Sequence, residues 1–325
     1  MGGRSEPGPE EAGRSTTGLI ARIAVSVAAL WLLAREADVA AIVELLATTR
    51  LGPLIAGFAI YIAGQVITAW RWQLIAWAVG FHRPLSAMVR YYFIGMFFAA
   101  FAPSTLGADV VRSLYLARAD GRWIVALNTA LFDRICGLAM LVALVLLAFA
   151  CCGSFGLPAT LVAATAGIGG AIALGWWALP ALLRTFLPVD NRVRRLVEVD
   201  LGPFWNDHAL LVKAATISFG FHVWQVCAAI LVGTAVGLDV RWSYYFVFHP
   251  LAAILGALPI SLGGIGVREL GYVWFLTNAA SVPDEHAAAF AVLWLAVLLA
   301  SSAVGGLVFL LGRDPLPSLR RVRVT

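Results

Sequence analysis

The sequence predicts an all-α integral membrane protein: about six full transmembrane helices and two re-entrant hairpins in an inverted repeat. The first observation is composition. Hydrophobic residues are 61% of the 325 residues and charged residues only 13%, too little charge to coat a soluble domain of this length. The second is a repeated motif. Pro103-Ser104-Thr105-Leu106-Gly107-Ala108-Asp109-Val110-Val111-Arg112-Ser113-Leu114 and Pro259-Ile260-Ser261-Leu262-Gly263-Gly264-Ile265-Gly266-Val267-Arg268-Glu269-Leu270 carry Pro, Leu, Gly, Val, Arg and Leu at identical offsets. Each copy follows an apolar segment and sets helix-breaking residues and charge beside it. Broken backbone at matching places in two halves of a membrane protein points to a central site. The third is the placement of arginine, because cytoplasmic loops carry the excess of basic residues.

Residues 1–17, rich in Gly, Pro, Glu, Ser and Arg, read as a disordered cytoplasmic tail. The apolar run 18–34 follows without a small-residue cleavage site, so it is expected as a retained helix and not a signal peptide. Further full spans are expected at about 53–79, 123–150, 158–180, 209–236 and 287–312, each long enough for ~30 Å of hydrocarbon. Two shorter apolar segments, about 86–103 and 243–258, stop at prolines and lead into the motifs.

Arg4, Arg14 and Arg22 place the N-terminus inside, and His82, Arg83 and Arg90 place the next loop there too. Arg184, Arg192, Arg194 and Arg195 form a large inside loop, and the tail 313–325 carries Arg313, Arg320, Arg321 and Arg323. The uncharged loop 153–158 and the acidic loop 283–286 suit the outside. These placements agree if 86–118 enters from the inside and returns there, while 241–280 enters from the outside and returns there. A single membrane domain, 18–312, then divides into halves 18–150 and 158–312 of opposite topology. Both termini are cytoplasmic, and the location is the cell (inner) membrane. Segment 184–208 is the linker between halves, either a solvated connector or a short amphipathic surface helix.

Charges at membrane depth cost roughly 2.5–3.5 kcal/mol each on insertion scales, so those that occur are paired or face a cavity. The candidates are Arg71, Asp109, Arg112, Asp133, Arg134, Arg268 and Glu269. Asp109 and Arg112 are three apart and share one helical face. Structural alternatives stand beside each. Arg71, in Trp70-Arg71-Trp72, can anchor at the interface; Asp133 and Arg134 can close an ion pair with the hairpins; Asp109 can cap helix 109–118. His222 reads as a packing histidine. Pro103, Gly107, Pro259, Gly263, Gly264 and Gly266 shape the hairpin backbones, with glycine N–H groups and helix N-termini turned toward an anionic group. Arginine adds a two-pronged donor suited to phosphate.

Ala69-Trp70-Arg71-Trp72, the first motif, Asp133-Arg134 with Gly137-Leu138, and Leu258-Pro259 through Glu269 together resemble the lysylphosphatidylglycerol synthase transmembrane-region family, also called flippase-like. The resemblance covers about residues 18–312. In bacterial aminoacyl-phospholipid synthases the similar region is linked to lipid flipping and precedes an aminoacyl-transferring domain. This sequence stops at Thr325 and so resembles the stand-alone members. The resemblance implies a translocase for an anionic phospholipid, a polyprenyl-phosphate-linked lipid or a related lipid.

No cofactor is expected. Cys136, Cys151, Cys152 and Cys227 form no CxxC pair, no histidine stands at metal-ligand spacing, and there is no GxxxxGK loop. Membrane lipids are the expected partners, joined in one alternative by a lipid-biosynthesis enzyme for which the chain is a scaffold. The basic balance comes from arginine, with Lys213 the only lysine, and points to anionic lipid and not nucleic acid. A third alternative is a lipid-modifying enzyme using Asp133, Glu269 and His222 as acid–base groups; no catalytic motif supports it.

Overall fold

A computed structural model describes residues 9–36, 38–101, 107–188 and 191–312. Among these residues every regular element is helical. In chain order the helices are α1 (Pro9–Glu36), α2 (Val39–Ala47), α3 (Leu51–Ala78), α4 (Leu85–Phe101), α5 (Gly107–Ala117), α6 (Trp123–Cys152) and α7 (Ala159–Phe186). Then come α8 (Arg192–Arg195), a π-helical turn (Leu196–Asp200), α9 (Gly202–Asn206), α10 (His208–Ala235), α11 (Trp242–Ala257), α12 (Val267–Ala280) and α13 (Asp284–Leu311).

Five helices are long and apolar enough to cross a bilayer: α3, α6, α7, α10 and α13. The expected span at 18–34 falls in α1, whose described apolar part is Ile20–Leu32. Residues 9–17, assigned to a tail by composition, are continuous with that helix. The remaining tail residues, 1–8 and 313–325, lie outside the described residues, as does Pro103 of the first motif. The two segments expected to be short are short. At 1.5 Å per residue, the 17 residues of α4 and the 16 of α11 fall below the ~30 Å of a hydrocarbon core.

Helix α2 did not figure in the sequence reading. Asp38 caps it, its Oδ1 accepting from Ala40 N at 2.9 Å and Ala41 N at 3.2 Å. Ile42 is buried while Val39 and Val43 are exposed.

The centre of the molecule is the long contact of α3 with α10. It needs small residues, since helices in hydrocarbon gain from close backbone approach. A Cβ on Gly57 would sit 3.2 Å from the Ala228 carbonyl oxygen. Trp224 Nε1 donates to the Ile60 carbonyl at 2.7 Å across the same seam. Around this axis the short helices interlock. α4 packs on α5 and on α13; α11 packs on α12 and on α6. Each first short helix thus leans on the long helix that follows the other motif.

The linker is neither a solvated connector nor a surface helix bound only to lipid. Leu201 and Phe204 are buried in the protein. Phe204 stacks on Phe132 with centroids 4.3 Å apart, and Trp205 stacks on Trp176 at 4.9 Å. Trp205 Nε1 also donates to the Trp176 carbonyl at 3.2 Å.

Candidate functional site: an ion network behind a cationic cavity

Helix α6 carries Asp133 and Arg134 on consecutive positions, so about 100° of helix separates their directions. Asp133 turns inward and its side chain is 3% exposed; Arg134 turns outward and is 33% exposed. The inward carboxylate would be prohibitively costly alone, and two helices supply its partners. Arg71 of α3 donates from Nε to Asp133 Oδ1 at 2.7 Å. Arg112 of α5 donates from Nη1 and Nη2 to Asp133 Oδ2, both at 3.1 Å. Arg71 also donates from Nη1 to Ser218 Oγ of α10 at 2.5 Å and from Nη2 to the Asp133 carbonyl at 3.3 Å.

Arg112 has a second carboxylate. Its Nε and Nη2 donate to Asp109 Oδ1 at 3.1 and 2.8 Å, one helical turn away as the spacing requires. Nη2 adds a bond to the Ala130 carbonyl at 3.2 Å. The guanidinium lies over Trp72 at 4.6 Å and Tyr92 at 5.1 Å. Arg134 then closes the chain. Its Nε and Nη2 reach Asp109 Oδ2 at 2.7 and 2.6 Å. The order is Arg71, Asp133, Arg112, Asp109, Arg134, which ties α3, α5 and α6 together.

The second motif is built differently. Glu269 opens α12 and is almost fully buried. Its Oε1 accepts from Arg268 Nε and Nη2 at 3.0 and 2.7 Å. Its Oε2 accepts from Gly266 N–H at 2.6 Å. The glycine N–H that the sequence suggested for an external anion is therefore satisfied by the helix's own third residue, a capping arrangement. Gly264 has φ +83°, and a Cβ there would lie 2.5 Å from the Gly256 carbonyl oxygen. Only glycine allows that turn against α11. Leu262 N–H donates to Ser26 Oγ of α1 at 2.9 Å, holding the turn from the other side.

The two copies meet at one cavity of about 230 Å³. Ala108 of the first motif lines it, with Gly263, Ile265 and Arg268 of the second. Arg134 reaches it from α6, Tyr61 from α3, and Ser301 and Ser302 from α13. Leu295, Leu298, Leu299, Met96 and Ala99 complete the wall. Arg134 and Arg268 are thus on the surface of the cavity, while their partners Asp109 and Glu269 are buried at 4% and 1% side-chain exposure. The cavity presents positive charge at one part and aliphatic wall elsewhere. A second, larger groove of about 460 Å³ between α6, α7 and α10 is lined by Phe132, Ile135, Trp176 and Trp177, with no carboxylate or guanidinium.

Seven candidate residues thus fall into two groups. Arg71, Arg112, Asp109, Asp133 and Arg134 form one network, and Arg268 and Glu269 one pair. Arg71 is buried at 3% exposure, so it is no interfacial anchor. The residues of the acid–base alternative have separate engagements: Asp133 with arginines, Glu269 with Arg268 and Gly266, and His222 Nε2 with the Gly137 carbonyl at 2.8 Å. Tyr61, Tyr92, Ser218, Ser301 and Ser302 were missed. Isolated Tyr and Ser in apolar helices give no sequence signal until a fold brings a charge to them.

Helices that cross a bilayer, short broken helices between them, and a cationic cavity backed by buried carboxylates define a membrane protein built around a polar core. The chain belongs to the family described as the lysylphosphatidylglycerol synthase TM region, whose model matches residues 19–306. No curated protein matches it. Membership in that family links the protein to a membrane lipid-related function.

Proposed function

We propose that the protein is a lipid translocase. It moves an anionic phospholipid, polyprenyl-phosphate-linked or related lipid across the bilayer through the cavity between α4–α5 and α11–α12. The carrying observation is that Arg134 and Arg268 reach one cavity from different helices while their carboxylate partners are buried behind them. An anionic headgroup can bond to both guanidinium faces without displacing either carboxylate. The acyl chains stay in hydrocarbon, so only the head needs a polar path. The matching contacts of the two motif helices support re-entrant hairpins entering from opposite faces, and the arginine-rich loops support cytoplasmic termini.

The test is reconstitution in vesicles with tail-labelled lipids and outer-leaflet quenching. Wild type should exchange anionic lipid between leaflets, and Arg268→Ala should lose at least about tenfold in rate while remaining folded, the loss expected for an uncompensated buried phosphate. Equal rates with and without protein would reject translocation and favour the scaffold role.

A further inference from the structure

We infer that the groove between α6, α7 and α10 holds one acyl chain of a bilayer phospholipid as a resident ligand, at a site separate from the cationic cavity. Divergence of the helices creates it. α7 packs along α6 and hardly touches α10, so α6 is a floor between two walls. Gly169 brings α7 close to α6, where a Cβ would meet Val142 Cγ1 at 3.2 Å, whereas Gly170 and Gly175 meet nothing within 4 Å. The lining positions of α6 run from Phe132 to Leu146. At 1.5 Å per residue that is about 21 Å of helix, most of a ~30 Å hydrocarbon core. The volume of about 460 Å³ is about fifteen times the ~30 Å³ of a water, far beyond the packing defects of a protein interior.

Chemistry identifies the occupant. All three helices are long and apolar enough to cross a bilayer, so the groove opens on hydrocarbon. No carboxylate or guanidinium lines it, and a headgroup would find no partner there. One end is closed by the linker, where Phe132 stacks on Phe204 and Trp176 on Trp205. Trp177 stands at the mouth, 77% exposed. Tryptophan favours headgroup level, so this end lies by the interface and the rest in hydrocarbon. A chain in the groove touches protein on three sides, which a chain on an open helix face cannot do, and dispersion adds with each contact. At the floor, Cys136 Sγ lies 3.5 Å from Ser218 Oγ, the hydroxyl that accepts from Arg71. The resident chain thus seals the rear of the ion network, whichever lipid the cavity takes.

The experiment uses the full chain in vesicles doped with phosphatidylcholine that carries a diazirine in one acyl chain. After photolysis the adducts are mapped by peptide mass spectrometry. They should concentrate on the groove positions of α6 and α7, at least about fivefold over the exposed Leu307 and Leu310 of α13. Ala173→Phe changes an exposed lining position and puts a ring in the groove. It should lower groove adducts by about the same factor and leave those on α13 unchanged, because ring and chain cannot share close-packed space. The same tail on phosphatidylglycerol should label the groove equally. Even labelling of α6, α7 and α13 overturns the inference, as does groove labelling that survives Ala173→Phe or follows the headgroup. Absence of groove adducts in a dimeric protein would assign the groove to a second copy and overturn it too. If Ala173→Phe does not accumulate, the wild-type distribution and the change of headgroup decide.

Discussion

The two motif arginines stand at the same offset in motifs that match at six of twelve positions, yet the fold gives them different work. Arg112 is enclosed by Asp109, Asp133, Trp72 and Tyr92 and joins three helices. Among the described residues Arg268 pairs with its neighbour Glu269 alone and faces the cavity. The carboxylate precedes the arginine by one turn in the first copy and follows it directly in the second. A carboxylate one turn back shares the arginine's inward face and draws it into the protein. The adjacent Glu269 instead caps its own helix through Gly266, and Arg268 is left at the rim. Identity of motif therefore does not carry identity of role; the position of the counter-charge decides it.

The comparison breaks most visibly on truncation. Arg112→Ala takes a guanidinium from two buried carboxylates at once, leaving Asp133 to Arg71 and Asp109 to Arg134, and empties the space over Trp72 and Tyr92; it should cost ~3–5 kcal/mol, read as loss of accumulated protein or a collapse of thermal stability in detergent. Arg268→Ala strands one carboxylate that keeps its bond to the Gly266 N–H and should be clearly milder in the same assay, leaving a folded protein. Equal destabilisation of the two variants would erase the distinction. The glycine turn comes next. Gly264→Ala meets both a positive φ and the Gly256 carbonyl, so a loss above ~1 kcal/mol is expected. Its counterpart in the first copy is already an alanine, Ala108, and Ala108→Gly in α5 should cost no more than ~1 kcal/mol. Melting curves of the two variants side by side check the order.

A subtler effect is the chemistry of the cavity arginine. Arg268→Lys keeps the charge but not the fork of donors, so it should leave the fold intact and restore only part of the exchange lost in Arg268→Ala. Full restoration would mean that the charge alone suffices. Orientation of the hairpins sharpens the comparison without perturbing it. Single cysteines near Arg118 and Arg194 should label from the inside, and those near Ser154 and Asp284 from the outside. External labelling near Arg118 would remove the re-entrant path for the first hairpin.

Much of the architecture was legible because hydrocarbon is a severe solvent. Long apolar runs had to be helices, and the runs that stopped at Pro103 and Pro259 had to be short ones. The family blocks at Arg71, Asp133-Arg134 and the two motifs located the charges, since a charge inside an apolar run is conspicuous. Their partnership was not legible. Nothing in the spacing says that Asp133 is shared between Arg71 and Arg112, that Arg134 turns to the opposite side, or that Gly266 spends its N–H on Glu269. Helix α2 and the packed linker aromatics Phe204 and Trp205 escaped for the same reason, as short segments whose stability comes from what they pack against. The sequence by itself determined the long and short apolar helices and which charged groups sit at membrane depth, because both follow from the local cost of exposing backbone and charge to lipid. Only the tertiary structure decided which buried charges neutralise one another and which two remain at the cavity, because pairing depends on the directions in which separate helices aim their side chains.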